Sequence, residues 1–184
     1  MAPFVDLATK VFSGLTLIGD IGVAIVVFAL IFKGLAWARL VLGFLRSQSL
    51  FLAFVIALGA TLGSLFYSEV AGFVPCSLCW WQRLFLYPQV LILGFGLWKK
   101  DSRVWNCVLG LSVIGALIAV YNTYLQFGGF SFLPCPPSGV SCAQRYFLEF
   151  GYITIPTMSL TAFLLLIVLG LAGKSKAEKE PGNS

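Results

Sequence analysis

Long apolar runs separated by short polar clusters organise the chain, and five reach the length of a bilayer crossing: roughly 12–32, 50–67, 80–98, 104–125 and 153–172. A helix needs about 20 mostly apolar residues to cross the hydrocarbon core, so the pattern predicts five spanning helices. The third run is the least apolar, because Gln82, Arg83, Pro88 and Gln89 interrupt it. It crosses if its first turn lies among the headgroups, with Trp80 and Trp81 as interfacial anchors. Residues 33–46 (KGLAWARLVLGFLR) space basic residues among apolar ones, the pattern of a helix lying along a membrane face. The final KSKAEKEPGNS is charged and small-residue rich, which predicts a disordered tail.

These elements predict an all-α integral membrane fold: a four-helix transmembrane bundle plus an additional N-terminal transmembrane helix. The chain divides into 1–47 (extra span and basic connector), 48–173 (four-helix membrane domain) and 174–184 (tail). Composition agrees, since only 10% of the 184 residues are charged and 59% are apolar, whereas a soluble domain is about a quarter charged. The net charge of +5 does not point to nucleic acid, because the basic residues form no patch interleaved with aromatics. There is no histidine, which removes His-based acid–base catalysis and every His-containing metal site. The N-terminus lacks a basic stretch and a persuasive cleavage site, so no signal peptide is expected.

Lysine and arginine set the orientation. Lys33, Arg39 and Arg46, then Lys99, Lys100 and Arg103, then Lys174, Lys176 and Lys179 all fall on one side, nine of the twelve basic residues. The positive-inside rule assigns that side to the cytoplasm. Only Lys10, Arg83 and Arg145 fall on the other, so the N-terminus, the loop before the third span and segment 126–152 are expected to be extracytoplasmic. Asp20 lies within the first span, where it is either a hydrated carboxylate near the outer end or an intramembrane ionisable site; the sequence names no partner for it.

The chemistry-bearing residues are five cysteines: Cys76, Cys79, Cys107, Cys135 and Cys142. Cys107 sits near the cytoplasmic start of the fourth span, about a membrane thickness from the others. That is far beyond the roughly 7 Å reach of a disulfide between Cα atoms, so it reads as an inert apolar residue. The other four lie outside, where disulfides persist, and closeness in sequence favours the pairs Cys76–Cys79 and Cys135–Cys142. Three readings remain open: redox chemistry, structural disulfides, or a four-cysteine zinc site. A C-x-x-C bridge closes too small a loop to restrain much of the unfolded chain, which favours redox. Cys79 opens a helix, whose N-terminus favours an anion, and Arg83 follows four residues later on the same face, where its charge would lower a thiol pKa. Snorkelling to the headgroups is the plainer account of that arginine.

Pro134, Pro136, Pro137 and Gly139 keep the chain non-helical around Cys135, leaving that pair open to a protein partner. Beyond it, Ala143, Tyr146, Phe147 and Phe150 follow i, i+3, i+4, i+7 spacing, which predicts a short surface helix, with packing of these aromatics against the bundle as the equal alternative.

Residues from about Ser49 to Gly173 resemble the DsbB/BdbC family of membrane thiol–quinone oxidoreductases. The resemblance is carried by FVPCSLCWWQR at an outer helix start, a second cysteine pair in the last outer loop, and FGYITIPTMSLTAF opening the final span. Vitamin K epoxide reductase relatives carry the loop pair first, the opposite order. The resemblance implies a multi-pass protein of the bacterial cytoplasmic membrane, its active cysteines outside, that reoxidises a thioredoxin-fold dithiol oxidase of the DsbA/BdbD kind. It implies that Cys135 and Cys142 exchange with that partner, with Cys135 forming the mixed disulfide. Electrons then pass to Cys76 and Cys79, and Cys79 reduces a quinone, ubiquinone or menaquinone, beside Arg83. Some members place a histidine near the quinone; here Tyr121, Asn122, Tyr124 and Gln126 are the candidates by position. Residues 1–47 lie outside the resemblance. The competing expectation is a non-catalytic membrane protein with structural disulfides or zinc in its outer loops.

Overall fold

The computed structural model describes residues 3–32, 36–99, 101, 103–130 and 141–177. Among these residues five α-helices follow one another: α1 (Pro3–Ile31), α2 (Ala36–Leu65), α3 (Ser77–Lys99), α4 (Val104–Gln126) and α5 (Ile155–Ala177). A π-helical turn, Phe66–Val70, extends α2. Four of them (α1, α2 with its π turn, α4 and α5) are long and apolar enough to cross a membrane. α3 has 23 residues, about 35 Å of helix, and falls short only in apolarity.

That shortfall has a structural reason. The buried positions of α3 are Gln82, Leu86, Gln89, Leu93 and Gly96, an alternating spacing of four and three that makes one inward stripe. Two of the five are amides, while Leu84, Leu91, Phe95 and Trp98 face outward. The helix is polar inside and apolar outside, the arrangement hydrocarbon demands of a polar span. Each inward group meets a neighbour. Ser112 of α4 donates to Gln89 Oε1 at 2.9 Å, and Gln89 Nε2 returns to the Phe85 carbonyl at 2.8 Å. Ser159 of α5 is hydrogen-bonded to Gln82.

α2, α3, α4 and α5 close around one core that includes Ala53, Ala57, Leu93, Val108, Ala119, Phe163 and Leu166. Small residues on α4 let α5 approach closely: a Cβ at Gly115 would lie 2.4 Å from the fully buried ring of Phe163. α1 stands outside this core. It packs on α2 and α5, with Val26 and Ala29 meeting Leu42 in a separate cluster.

Three expectations are corrected. The surface helix over 33–46 is not a separate element: residues 36–46 are the first turns of α2, because nothing interrupts the helical run into the span. Residues 33–35 and 178–184 lie outside the described residues, while 174–177, expected to open the disordered tail, continue α5 as helix. Likewise no helix forms over 143–150. The segment turns, and Glu149 pairs with Ile153 in a two-way backbone bridge of 3.0 and 2.8 Å. Phe150 (φ 49°) and Gly151 (φ 79°) take the left-handed conformation that closes this hairpin. Of the four residues proposed as a stripe, Tyr146 and Phe147 turn inward onto Phe73 and Tyr67.

Gly115→Ala is expected to lower stability by about 1–3 kcal/mol despite the helix-favouring methyl, because the ring of Phe163 has nowhere to move. Unfolding in detergent measures this, and the double variant Gly115→Ala/Phe163→Leu should recover part of the loss.

Candidate active site

The π turn sets up the site. Its wider backbone brings Tyr67 inward, 4% exposed, and the ring packs on Phe73 (5.9 Å, 8°) and Phe147 (5.5 Å). Phe73 stacks in turn on Tyr146 at 4.4 Å and 9°, and the Tyr146 hydroxyl donates to the Val74 carbonyl at 2.8 Å. This aromatic column ties the last loop to the strand-like approach to α3. The chain then reaches Pro75 and Cys76, whose carbonyl accepts the Trp80 N–H at 3.1 Å. Cys76 therefore occupies the cap position of α3, and Cys79 its first turn, where backbone N–H groups lack intrahelical partners.

The two sulfurs are 3.1 Å apart. Asn122 of α4, fully buried, donates from Nδ2 to Cys79 Sγ at 3.6 Å. Cys142, 2% exposed, lies beside them: its Sγ is 3.6 Å from Ser77 Oγ, and it packs with Cys76 and Leu125 against Leu78, Cys79 and Tyr121. The fold thus gathers three of the four outer cysteines. Cys135 lies outside the described residues. Cys107 is exposed at the far end of α4, as its place in the sequence required.

The pair is electrostatically uneven. Cys76 gives its proton to the bond with Cys79, and this bond, with burial behind it, pushes the Cys76 thiol far above its ordinary value. Cys79 stands at the lip of the apolar run, before residue 80. The bond from Cys76 lowers it to about 7, against the effect of burial, with Asn122 and then the charge of Arg83 contributing in the same direction. Cys79 is the thiolate of the pair.

Arg83 lies one turn below Cys79, as the spacing predicts, but two of its donors go elsewhere. Nε bonds Ser64 Oγ at 2.9 Å and Nη2 bonds the Ser64 carbonyl at 3.0 Å, with the guanidinium 5.3 Å from the Trp80 ring centroid. It acts on the thiolate through its field alone. Ser64 escaped sequence reading; the only hint was its place in the small-residue face Gly59, Ala60, Gly63, Ser64. Of the four residues set against the missing histidine, Asn122 reaches the sulfur, Tyr121 packs beside it, and Gln126 donates to the Gln144 carbonyl at 3.0 Å. Tyr124 is half exposed.

A cavity of about 410 Å³ opens beside the cysteines, within the range of small-molecule sites. Cys79, Gln82 and Arg83 stand on it, and apolar residues such as Val55, Ile56 and Leu165 make up its depth. Gln82 Nε2 and Gln126 Oε1 are buried there without partners. An apolar chamber with an unmet amide donor at Gln82 and a thiolate at one end fits a flat, lipid-soluble molecule bearing carbonyls, while Gln126 Oε1 could accept only from a hydroxyl form of it. Among the described residues no three His, Cys, Asp or Glu side chains stand grouped to hold a metal.

Comparison with known proteins agrees with this geometry. The family model for disulfide bond formation protein DsbB matches residues 46–173, the cysteine-bearing bundle without α1. The chain belongs to the DsbB family. It is 46% identical over 125 residues to disulfide bond formation protein C of Bacillus subtilis, covering 67% of this chain and 90% of that protein. It is 38% identical over 136 residues to a probable disulfide formation protein C 2 of Bacillus cereus, covering 74% and 98%. An SPbeta prophage-derived disulfide bond formation protein B of Bacillus subtilis is 41% identical over 128 residues, covering 70% and 86%. No solved structure matches the chain. A disulfide oxidoreductase of the membrane is the activity these kinships support for this DsbB-family protein.

In the reduced protein, alkylation of Cys79 should follow a thiolate titrating at about 7, slowing about tenfold per pH unit below that value. Asn122→Ala should move the midpoint upward and Cys76→Ala should move it further, since the Cys76 bond is the larger cause. Mass-spectrometric labelling rates across pH measure both shifts.

Proposed function

We propose that this protein is a thiol–quinone oxidoreductase that reoxidises an extracytoplasmic thioredoxin-fold dithiol oxidase. Residues 48–173 form the disulfide-forming unit, and 174–184 a cytoplasmic tail. The carrying observation is the contact of Cys142 with the Cys76–Cys79 pair. It makes a relay between the two cysteine pairs a matter of neighbouring sulfurs.

The exchange begins with the Cys135–Cys142 disulfide. A partner thiolate attacks Cys135, and Cys142 leaves as thiolate; the second partner thiol then attacks the mixed disulfide, so the partner is oxidised and Cys135 and Cys142 are reduced. Cys142 next attacks Cys76 in the Cys76–Cys79 disulfide. Cys79 leaves, which its low pKa favours, since the better leaving group is the more acidic thiol. Cys135 resolves the Cys76–Cys142 bond, restoring the outer disulfide and leaving Cys76 protonated and Cys79 charged.

A quinone, ubiquinone or menaquinone, would supply the oxidant when bound, accepting the two electrons released as the Cys76–Cys79 disulfide reforms, with one proton from Cys76 and the second from solvent. Cys79, Arg83 and Gln82 would hold its polar ring, and the apolar depth of the cavity its tail. For this chemistry the chain contributes four things: a sulfur anion steadied by Asn122, a neighbouring thiol proton on Cys76, the positive field of Arg83, and a chamber that keeps water from the pair. The orientation, with the cysteines outside a bacterial cytoplasmic membrane, rests on the nine basic residues gathered at the opposite ends of the helices.

Purified protein in lipid vesicles, given a reduced thioredoxin-fold dithiol oxidase and a quinone, should oxidise the dithiol in step with quinone loss. Cys79→Ala and Cys76→Ala should reduce this to background, while Cys107→Ala leaves the wild-type rate. Stoichiometric zinc together with no quinone-dependent thiol oxidation would overturn the reading.

A further inference from the structure

The cavity beside Cys79 has one wall that comes from outside the bundle the family model matches. Phe12, Leu15 and Thr16 of α1 line it, and α1 precedes the region the family model matches. Facing α1, α2 presents Gly59, around which a Cβ would find open space, and Gly63, where a Cβ would lie 3.5 Å from the Phe12 ring. Without α1, the cleft between α2 and α5 would open the chamber sideways to lipid.

α1 is seated there by a local device. At Gly19 it comes so near α5 that a Cβ would lie 2.9 Å from Thr161 Cγ2 and 3.2 Å from Leu165 Cδ1. At the next residue, Asp20 Oδ1 accepts the Thr161 hydroxyl at 2.6 Å and Oδ2 accepts the Tyr152 hydroxyl at 2.8 Å. The carboxylate that had no partner in the sequence joins α1 both to α5 and to the loop carrying Cys142. On α2 the outer half of α1 rests through Phe12, whose ring packs on Phe66 and Tyr67 at 5.9 and 5.8 Å, and the inner half through Val26 and Ala29, so Gly19 and Asp20 are what draw the cavity-covering half onto α5.

We propose that α1 is a latched lateral wall of the quinone chamber. Phe12, Leu15 and Thr16 provide the surface against which an isoprenoid tail lies, so they determine which tails the site accepts, and Asp20 is the positioning residue that keeps the wall closed. This rests on the quinone reading above.

The test uses full-length protein in phosphatidylglycerol–phosphatidylcholine vesicles and two readouts. One is KM and kcat for a short-tailed and a long-tailed quinone; the other is labelling of reduced Cys79 by a maleimide dissolved in the bilayer. Asp20→Ala and Gly19→Leu should raise KM for the long-tailed quinone and speed labelling, each about tenfold, for the loss of one apolar contact surface. kcat should hold. Asp20→Asn should recover most of both, since the two hydroxyls can accept from an amide as well as donate to it. Leu15→Trp, with the latch intact, should slow labelling and discriminate further against bulky tails. Wild-type turnover with KM and labelling unmoved in Asp20→Ala and Gly19→Leu overturns the inference alone. A fall in kcat with KM unmoved also overturns it, marking mere structural support. Wild-type protein that reduces no quinone overturns the function, and this inference with it.

Discussion

Hydrocarbon offers no hydrogen bonds, so a polar side chain that α3 carries into the bundle is costly unless a neighbouring helix meets it. Three serines do this, one from each neighbour: Ser64 of α2 takes Arg83, Ser112 of α4 takes Gln89, and Ser159 of α5 takes Gln82. An unmet buried polar group costs about 1–3 kcal/mol, more than a bond of this kind contributes when formed, so α3 is held chiefly by what misplacement would cost. The three bonds point in three directions around the helix axis. They fix its rotation and its depth together, and with them the height at which Cys76 and Cys79 leave the bundle.

From that placement the unevenness of the two sulfurs follows. Cys76 stands at the cap, pressed among apolar neighbours, and keeps its proton. Cys79 stands where helix N–H groups and Asn122 point at it, and carries the charge. Asn122 donates to the thiolate from an amide, which gives a hydrogen bond without titrating. It steadies the charge and does not compete for protons. The one thiol proton of the pair is therefore left on Cys76.

Much of this was legible in the sequence because it is local. Runs of apolar residues gave five helices, cysteine depth separated Cys107 from the rest, and the four-residue spacing put Arg83 below Cys79. What escaped is long-range. Asp20 meets Tyr152 and Thr161 across 132 and 141 positions, and Arg83 meets Ser64 across 19, pairings that no spacing rule contains. The surface helix over 143–150 failed for a different reason. Its aromatic period is real, but Tyr146 and Phe147 gain more by packing on Phe73 and Tyr67, and the left-handed turn at Phe150–Gly151 sends the backbone bonds into a hairpin instead. The 33–46 segment shows the converse: a pattern that fits a surface helix also fits the opening turns of a long span.

The burial of Cys142 has a kinetic meaning. Six residues separate it from Cys135, so Cys135 can lie no more than roughly 25 Å of extended chain from its anchored mate. Cys135 is thus a reactant on a short leash whose fixed end is the relay itself. A tether of that length holds its end group at an effective concentration on the order of millimolar, so in the proposed relay resolution of the Cys76–Cys142 bond by Cys135 is an intramolecular step. In that relay the encounters with the outside dithiol and with the quinone depend on their supply, while the transfers between the two cysteine pairs run at a rate set by the chain.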